Sequence, residues 1–312
     1  MLLNILNIVA PVFLVIGAGY LYLRSGWFAD SLVDGLMKYA IQLAVPCLLF
    51  RATSMLDLAS AFNWQIISSF YLAASLSFFA ACLVVWKWFR RNPEESVAIG
   101  FAALFSNSVL LGLPISERAW GVDNLSEVYA IISLHAPFCY LLGITLMEII
   151  RSDGRRWPET ARIVVAAMFS NSLMIGIGLG FAVNLSGFAV PQIVTSAVDI
   201  ISASALPVAL FGLGGVLARY HFASELKLVA MVSLFSLVVH PALALLFCHL
   251  LQADLTHART AVLLAAMAPG INSYLFASMY RQGQGVAAST VLLGTGVSVL
   301  SVSVWLWLLS GS

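Results

Sequence analysis

The sequence predicts an all-α integral membrane protein with ten transmembrane helices, arranged as two inverted five-helix repeats. Composition gives the first reason, because 61% of the residues are hydrophobic and only 9% are charged, whereas soluble domains average about 25% charged residues. The second reason is the number of long apolar segments, and the third is a short pattern that occurs twice. A surface this apolar needs lipid as its solvent, and the net charge of +1 gives no reason to expect a nucleic-acid partner.

A helix that crosses a bilayer needs about 20 mostly apolar residues. Ten segments of the chain satisfy this requirement, namely 5–23, 33–50, 62–86, 97–115, 128–150, 161–183, 189–218, 227–251, 258–280 and 285–309. The loops between these segments are short and leave no room for a separate soluble domain.

The 15 basic residues are distributed unevenly among the predicted loops. Most lie in loops one, three, five, seven and nine, and the other loops hold Arg51, Arg118 and Arg259. Because basic loops are retained in the cytoplasm, we expect the odd loops inside the cell. Both termini are then expected on the outer, periplasmic side of a bacterial inner membrane.

Two patterns recur at one offset of 161 residues. Residues 16–20 (IGAGY) return as 177–181 (IGLGF), and residues 45–50 (VPCLLF) return as 206–211 (LPVALF). One offset shared by two matches indicates an internal duplication of half the chain.

Five spans per half is an odd number, so the second copy must enter the membrane from the opposite face. The halves are predicted as residues 1–150 and 163–312, joined by a charged cytoplasmic linker at 151–162.

Predicted spans four and nine hold the candidate substrate site, since each is interrupted by proline and glycine among small polar residues. These residues are Ser106, Asn107, Ser108, Gly112 and Pro114 in span four, and Pro269, Gly270, Asn272 and Ser273 in span nine. The surrounding residues match at a looser offset of 163 to 165: the alanine pairs at 102–103 and 265–266, and the Asn-Ser pairs at 107–108 and 272–273. Open backbone in hydrocarbon costs several kcal/mol per unsatisfied group and is tolerated where protein, water or ligand satisfies it.

Two broken helices at mid-membrane therefore predict a polar cavity, and half-helix N-termini there suit an anion such as a carboxylate. In the alternative interpretation the prolines only kink the helices and the asparagines only tie helices together.

Five further residues are weaker candidates. Pro46 and Pro207 either line the same cavity or set helix bends. Asp199 is a candidate for coupling to a proton or sodium ion, because a carboxylate inside a membrane span is by default a candidate functional group. In the alternative interpretation the Asp199 carboxylate only pairs with nearby hydroxyls. His135 and His240 are candidate proton carriers, or else buried imidazoles with satisfied hydrogen bonds.

The glutamate and arginine at 117 and 118, which follow span four, are expected to form an ion pair at its outer rim.

These motifs resemble the auxin efflux carrier family, specifically its small bacterial members. The resemblance rests on residues 11, 17–19, 46–50, 106–107, 112–114, 207–214 and 268–269. It implies ten spans in inverted repeats, a fold similar to bile-acid symporters and sodium/proton antiporters, and small organic carboxylate substrates such as auxin, malonate or malate. The chain departs from many relatives at Asn171-Ser172, where they have Asn-Pro, and its short linker argues against auxin itself.

The expected function is secondary transport of a small organic anion by alternating access, in which one helix bundle rocks against the other. No zinc-protease, hydrolase or phosphate-loop motif is present, so we expect neither an enzyme nor a cofactor. The sequence leaves open the direction of transport, coupling to a proton or sodium ion, and whether the apolar faces form a homodimer. One rival is a sodium/proton antiporter, which should carry a pair of mid-membrane acids. Another is a sensor without flux, which should carry a soluble output domain.

Overall fold

The computed structural model describes residues 2–151, 162, 172–220 and 225–310. Their α-helices, in chain order, are α1 Leu2–Arg24, α2 Asp30–Tyr39, α3 Val45–Ser54, α4 Leu58–Ala61, α5 Trp64–Lys87, α6 Pro93–Leu104, α7 Leu113–Trp120, α8 Ser126–Arg151, α9 Ser172–Ser186, α10 Gln192–Ala203, α11 Ala205–Arg219, α12 Leu226–Leu234, α13 His240–Leu250, α14 Leu255–Ala265, α15 Ile271–Tyr280 and α16 Gln284–Ser310.

Among the described residues, seven helical stretches are long and apolar enough to cross a membrane. They are Leu3–Arg24, Asp30–Ser54, Trp64–Lys87, Ser126–Arg151, Gln192–Arg219, Leu226–Leu250 and Gln284–Ser310, which match predicted spans one, two, three, five, seven, eight and ten. Spans four and nine each consist of two short helices, and the first part of span six lies outside the described residues. The all-helical, membrane-spanning character is confirmed, while the total of ten spans stays a prediction.

Three π-helical turns in the described chain lie at Ala40–Ala44, Ser108–Gly112 and Phe235–Val239. Each is followed, two residues after it ends, by a proline: Pro46, Pro114 or Pro241. A proline removes one backbone N–H and crowds the preceding turn, and the wider π turn accommodates this defect without stopping the helix. The helices therefore continue through Pro46 and Pro114, and both interpretations of Pro46, as a cavity residue or as a helix bend, stay predictions.

The chain forms two compact units. The first unit contains Met1–Ala10, Asn63–Ala161 and Tyr220–Ser312, and the second contains Pro11–Phe62 and Arg162–Arg219. Each unit thus takes segments from both halves of the sequence, so the units do not test the predicted division at the 151–162 linker. The core of the first unit includes small apolar side chains of α5, α6 and α12, among them Ala81, Ala102, Ala103 and Val232.

Close helix contacts in the second unit occur at glycines of the repeated pattern. A Cβ added at Gly19 would lie 1.9 Å from the carbonyl oxygen of Phe211, and one added at Gly180 would lie 2.6 Å from the carbonyl oxygen of Phe50. Both contacts relate residues by the same 161-residue offset, so each is the counterpart of the other. The second glycine of each pattern is therefore required by backbone contact, as small residues are in membrane helix pairs.

Alanine should destabilise the protein at the second glycine of each repeated pattern and be tolerated at the first. Gly19→Ala and Gly180→Ala should cost about 1–3 kcal/mol, because a carbonyl oxygen cannot rotate away from the new methyl group. Gly17→Ala and Gly178→Ala are matched controls, since nothing lies within 4 Å of a Cβ at either position, and alanine favours the helix. Thermal unfolding of the four purified variants checks this; equal melting temperatures would contradict it.

Arg118 binds the backbone of α1 inside the first unit. Pro11 has no N–H, so the carbonyl of Asn7, four residues earlier, lacks its helical donor. The Arg118 guanidinium donates to the oxygen of Asn7 at 2.7 Å and to that of Ile8 at 3.0 Å. The predicted ion pair of Arg118 with Glu117 is wrong, because the guanidinium is oriented toward these carbonyls.

A double-mutant cycle tests this interpretation. Arg118→Met should destabilise the protein by about 1–3 kcal/mol, the usual cost of leaving a polar group unsatisfied. In a Pro11→Ala background the substituted residue supplies the missing N–H, so the same arginine substitution should cost measurably less. Chemical or thermal unfolding of the four proteins gives the coupling energy. If the two substitutions changed the free energy of unfolding additively, Arg118 would not be compensating for the hydrogen bond that Pro11 removes.

Ion pairs join loops that the charge pattern places on one side of the membrane. Arg91 pairs with Glu225, Arg151 lies 3.3 Å from Glu94, and Arg219 lies 2.5 Å from Asp34. These contacts agree with the predicted alternation of loops. Which side faces the cytoplasm stays a prediction.

Candidate functional site

Predicted span four is broken at Phe105–Asn107, where the chain is extended between α6 and the π turn that leads into α7. The prediction placed the interruption at Gly112 and Pro114, and this is wrong. Pro114 follows the π turn in a continuing helix, and Gly112 is small because a Cβ there would lie 2.6 Å from Leu264. Span nine is broken at 266–270, so its interruption at Pro269 and Gly270 is where the sequence predicts it.

The two breaks cross each other and pair as a short antiparallel bridge, with Ser106 opposite Pro269. The N–H of Asn107 donates to the oxygen of Ala268 at 2.8 Å, and the N–H of Gly270 donates to the oxygen of Phe105 at 2.9 Å. Both interrupted helices thereby satisfy part of their open backbone with each other, which an apolar environment requires.

These two hydrogen bonds are equivalent under an offset of 163 residues, which relates Asn107 to Gly270 and Phe105 to Ala268. The predicted match of Asn107 with Asn272, at an offset of 165, is therefore two residues out of register at the crossing. Asn107 caps the first half-helix, whereas Asn272 lies in the first turn of α15, after its cap Gly270.

Both asparagine side chains have their oxygen atoms engaged by the protein. Oδ1 of Asn107 accepts from the backbone N–H of Leu110 at 3.3 Å, and Oδ1 of Asn272 accepts from the Tyr140 hydroxyl at 3.2 Å. Nδ2 of Asn107 is buried without a hydrogen-bond partner, and Nδ2 of Asn272 has none among the described residues. Each amide therefore has its donor group free.

The serines of the crossing are buried and differ in their partners. The hydroxyls of Ser106 and Ser108 lie 2.8 Å apart and bond to each other. The Ser273 hydroxyl is fully buried and has no partner in the described part of the chain, so it is a further polar group that a ligand could satisfy.

His135 of α8 lies against the crossing. Its Nε2 is 3.1 Å from the carbonyl oxygen of Ser106; because a carbonyl only accepts, Nε2 carries the proton. The Phe105 ring meets the imidazole edge-on with centroids 4.7 Å apart. His135 therefore holds the extended segment in place, and no residue spacing in the sequence signals this contact or that of Tyr140.

His240 is buried in the same unit, and neither of its ring nitrogens makes a hydrogen bond of normal geometry to the described residues. The Phe70 ring lies 5.5 Å from His135 and 5.4 Å from His240, centroid to centroid. The two histidines therefore share an aromatic neighbour, and no hydrogen-bonded chain joins them among the described residues. Their part in proton coupling stays a prediction.

The remaining candidates belong to the second unit. Asp199 lies 2.7 Å from the Arg51 guanidinium, with the Asp199 side chain half exposed; the expected hydroxyl partners are not what it binds. Pro46 is buried and its carbonyl oxygen faces Gly176, where a Cβ would lie 2.4 Å away, whereas Pro207 is exposed in the first turn of α11. The placement of both prolines at a substrate site, and the coupling role of Asp199, stay predictions.

Electrostatics at the crossing follow from chain direction. The π turn starting at Ser108 and helix α15 starting at Ile271 both begin at the bridge, so the positive ends of two half-helices meet there. Gly270 has no side chain to cap α15, which leaves its first N–H groups without a side-chain acceptor. The free donors therefore lie beside the positive ends of two half-helices, while the negative ends of α6 and α14 lie at the start of each break.

Broken helices that meet in a buried polar crossing of a helical membrane protein are typical of membrane transporters. The profile of a family described as "Membrane transport protein" matches residues 4–306. The chain belongs to this family, the auxin efflux carrier family.

Individual relatives align along nearly the whole chain. A protein of Rhizobium meliloti (strain 1021) named "Putative malonate transporter" is 24% identical over 308 residues, which cover 98% of this chain and 96% of the relative. An uncharacterized transporter of Methanothermobacter thermautotrophicus is 22% identical over 95% of this chain and 96% of the relative. The uncharacterized transporter YfdV of Escherichia coli (strain K12) is 22% identical over 94% of this chain and 91% of the relative.

Two substitutions at Asn107 should show how much its side-chain oxygen, which caps the half-helix, contributes to stability. Asn107→Ala removes the acceptor for the Leu110 N–H and should cost about 1 kcal/mol, the typical value of a helix N-cap. Asn107→Ser keeps an acceptor oxygen at that place without burying a new charge, and serine is a good N-cap, so this variant should unfold close to the wild-type temperature. Thermal unfolding of both variants checks this, and a serine variant less stable than the alanine one would contradict the capping role.

Proposed function

We propose that this protein is a secondary transporter that carries a small organic carboxylate anion across the bacterial inner membrane. The observation that supports this most is the orientation of Asn107 and Asn272, whose oxygens are occupied and whose N–H₂ groups are free. The substrate carboxylate binds between these donors, with the Ser273 hydroxyl and the start of α15 as further donors.

Hydrogen-bond chemistry favours an anion over a metal cation at this place. A carboxylate offers only acceptors and matches free N–H₂ groups and half-helix N-termini. A sodium ion needs oxygen ligands, and the two asparagine oxygens are already held by Leu110 and Tyr140. This is why we place the organic-anion carrier ahead of the sodium/proton antiporter.

Alternating access follows from the proposed inverted repeats. Support comes from two sets of reciprocal contacts: the bridge at the crossing, with its 163-residue offset, and the glycine contacts of the second unit, with the 161-residue offset. A repeat whose contacts recur under exchange of the halves can open to either face by equivalent movements. Both termini lie on the periplasmic side in this proposal.

Malonate is the first substrate to test, because the name of the Rhizobium relative mentions it. Purified protein in proteoliposomes should take up labelled malonate or another small carboxylate from a panel of mono- and dicarboxylates. Imposing a membrane potential, a proton gradient or a sodium gradient in turn identifies the coupling.

Asn107→Asp and Asn272→Asp should each lower kcat/KM for the carboxylate at least about tenfold. Each variant keeps an oxygen for its protein partner but replaces the free donor, and a hydrogen bond to a charged group contributes about 1.5–3 kcal/mol. The new negative charge also repels the substrate. Uptake by proteoliposomes at matched protein density is the measurement.

Asn63→Asp is the matched control, because Asn63 is also a helix N-cap, at the start of α5, with its oxygen accepting from Gln65 and Ile66. This variant should transport at the wild-type rate. Unimpaired carboxylate uptake in the two crossing variants would refute the site, and sodium-driven proton flux without any organic anion would favour the antiporter.

A further inference from the structure

An apolar groove lies on the first unit, away from the crossing. Its volume is about 380 Å³, and its walls come from α5, α6 and α8: Phe79, Cys82, Leu83, Trp86, Pro93, Ser96, Val97, Leu146 and Ile150. Phe79, Leu83 and Trp86 share one face of α5 and are about half exposed. The Ser96 hydroxyl donates a hydrogen bond to the carbonyl oxygen of Asn92 at 2.8 Å. Because this polar side chain of the lining already has its partner, the groove suits a hydrocarbon chain.

The groove ends at the end of a membrane span. Helix α5 stops at Lys87, one residue after Trp86, and tryptophan with lysine at a span end marks the headgroup level of a bilayer. The Lys87 ammonium lies 3.7 Å from the centre of the Trp86 ring. An occupant of the groove therefore has its polar end at the headgroup level.

Two cations follow Trp86 in the chain, at Lys87, where α5 ends, and at Arg90, in the segment between α5 and Pro93. Both are exposed and form no ion pair among the described residues. In contrast, neighbouring Arg91 pairs with Glu95 and Glu225, and Arg151 pairs with Glu94. The arginines with nearby carboxylates are thus neutralised, while Lys87 and Arg90 keep their charge.

We propose that the groove and these two cations form a binding site for one anionic phospholipid. One acyl chain lies along Phe79, Leu83 and Trp86, and the phosphate with its negatively charged headgroup lies at Lys87 and Arg90. Charge complementarity commits the site to an anionic lipid, since a zwitterionic headgroup would bring its own cation to the same place.

Native mass spectrometry of the full-length protein tests this with dioleoyl-phosphatidylglycerol and dioleoyl-phosphatidylcholine. The wild type should bind the first phosphatidylglycerol more tightly than the first phosphatidylcholine. Lys87→Gln with Arg90→Gln should weaken phosphatidylglycerol binding by about 30-fold, since a basic residue near anionic lipid contributes a factor of about five. Binding of phosphatidylcholine should change little.

Two further variants test whether the lipid preference comes from this groove and its two cations. Arg24→Gln with Lys38→Gln removes two charges of the second unit, in the last turns of α1 and α2, and should keep the lipid preference. Leu146→Trp fills the groove and should weaken both lipids by the same factor. Equal binding of both lipids to the wild type, loss of preference in the Arg24/Lys38 control, or unchanged binding in Leu146→Trp would each overturn the proposal.

Discussion

The constraint on which the first unit depends is that backbone polar groups in hydrocarbon need partners. Two helices are interrupted in this unit, and either interruption alone would leave N–H and C=O groups open. The reciprocal bonds from Asn107 to Ala268 and from Gly270 to Phe105 resolve part of this problem for both chains at once. Each break is therefore stable only because the other lies across it, and the polar crossing is a consequence of the fold as well as its candidate site.

A second consequence concerns proline. Where a π turn precedes Pro46, Pro114 and Pro241 the helix continues, and where Pro269 lies in an extended segment it stops. Pro269 differs from these three prolines because its extended segment pairs with an antiparallel neighbour at Ser106. A proline therefore removes one helical hydrogen bond, and the neighbouring segments determine whether the helix continues or stops there.

Helical periodicity, length and hydrophobicity predict seven of the spans to within four residues, because these properties are local to each segment. The crossing was predicted in part: Pro269 and Gly270 mark the break in span nine, but the break in span four lies at Phe105–Asn107 and not at Pro114. An asparagine between serines is a helix-cap signal that could have located it. The partners Tyr140 and His135 come from another helix, and one sequence holds no local signal of that contact.

The backbone of the crossing obeys the 163-residue offset, but its side chains do not. The counterpart of Asn107 is Gly270, and the counterpart of Asn272 is Val109. In the proposed transporter, a symmetric backbone supports equivalent openings to either face, and two donors placed at different steps of their half-helices distinguish the two sides of a ligand. In that proposal, duplication accounts for the framework, and divergence of single residues accounts for the carboxylate site. The oxygens of Asn107 and Asn272 accept from the Leu110 N–H and the Tyr140 hydroxyl. These two different partners orient the amides and leave both N–H₂ donors free.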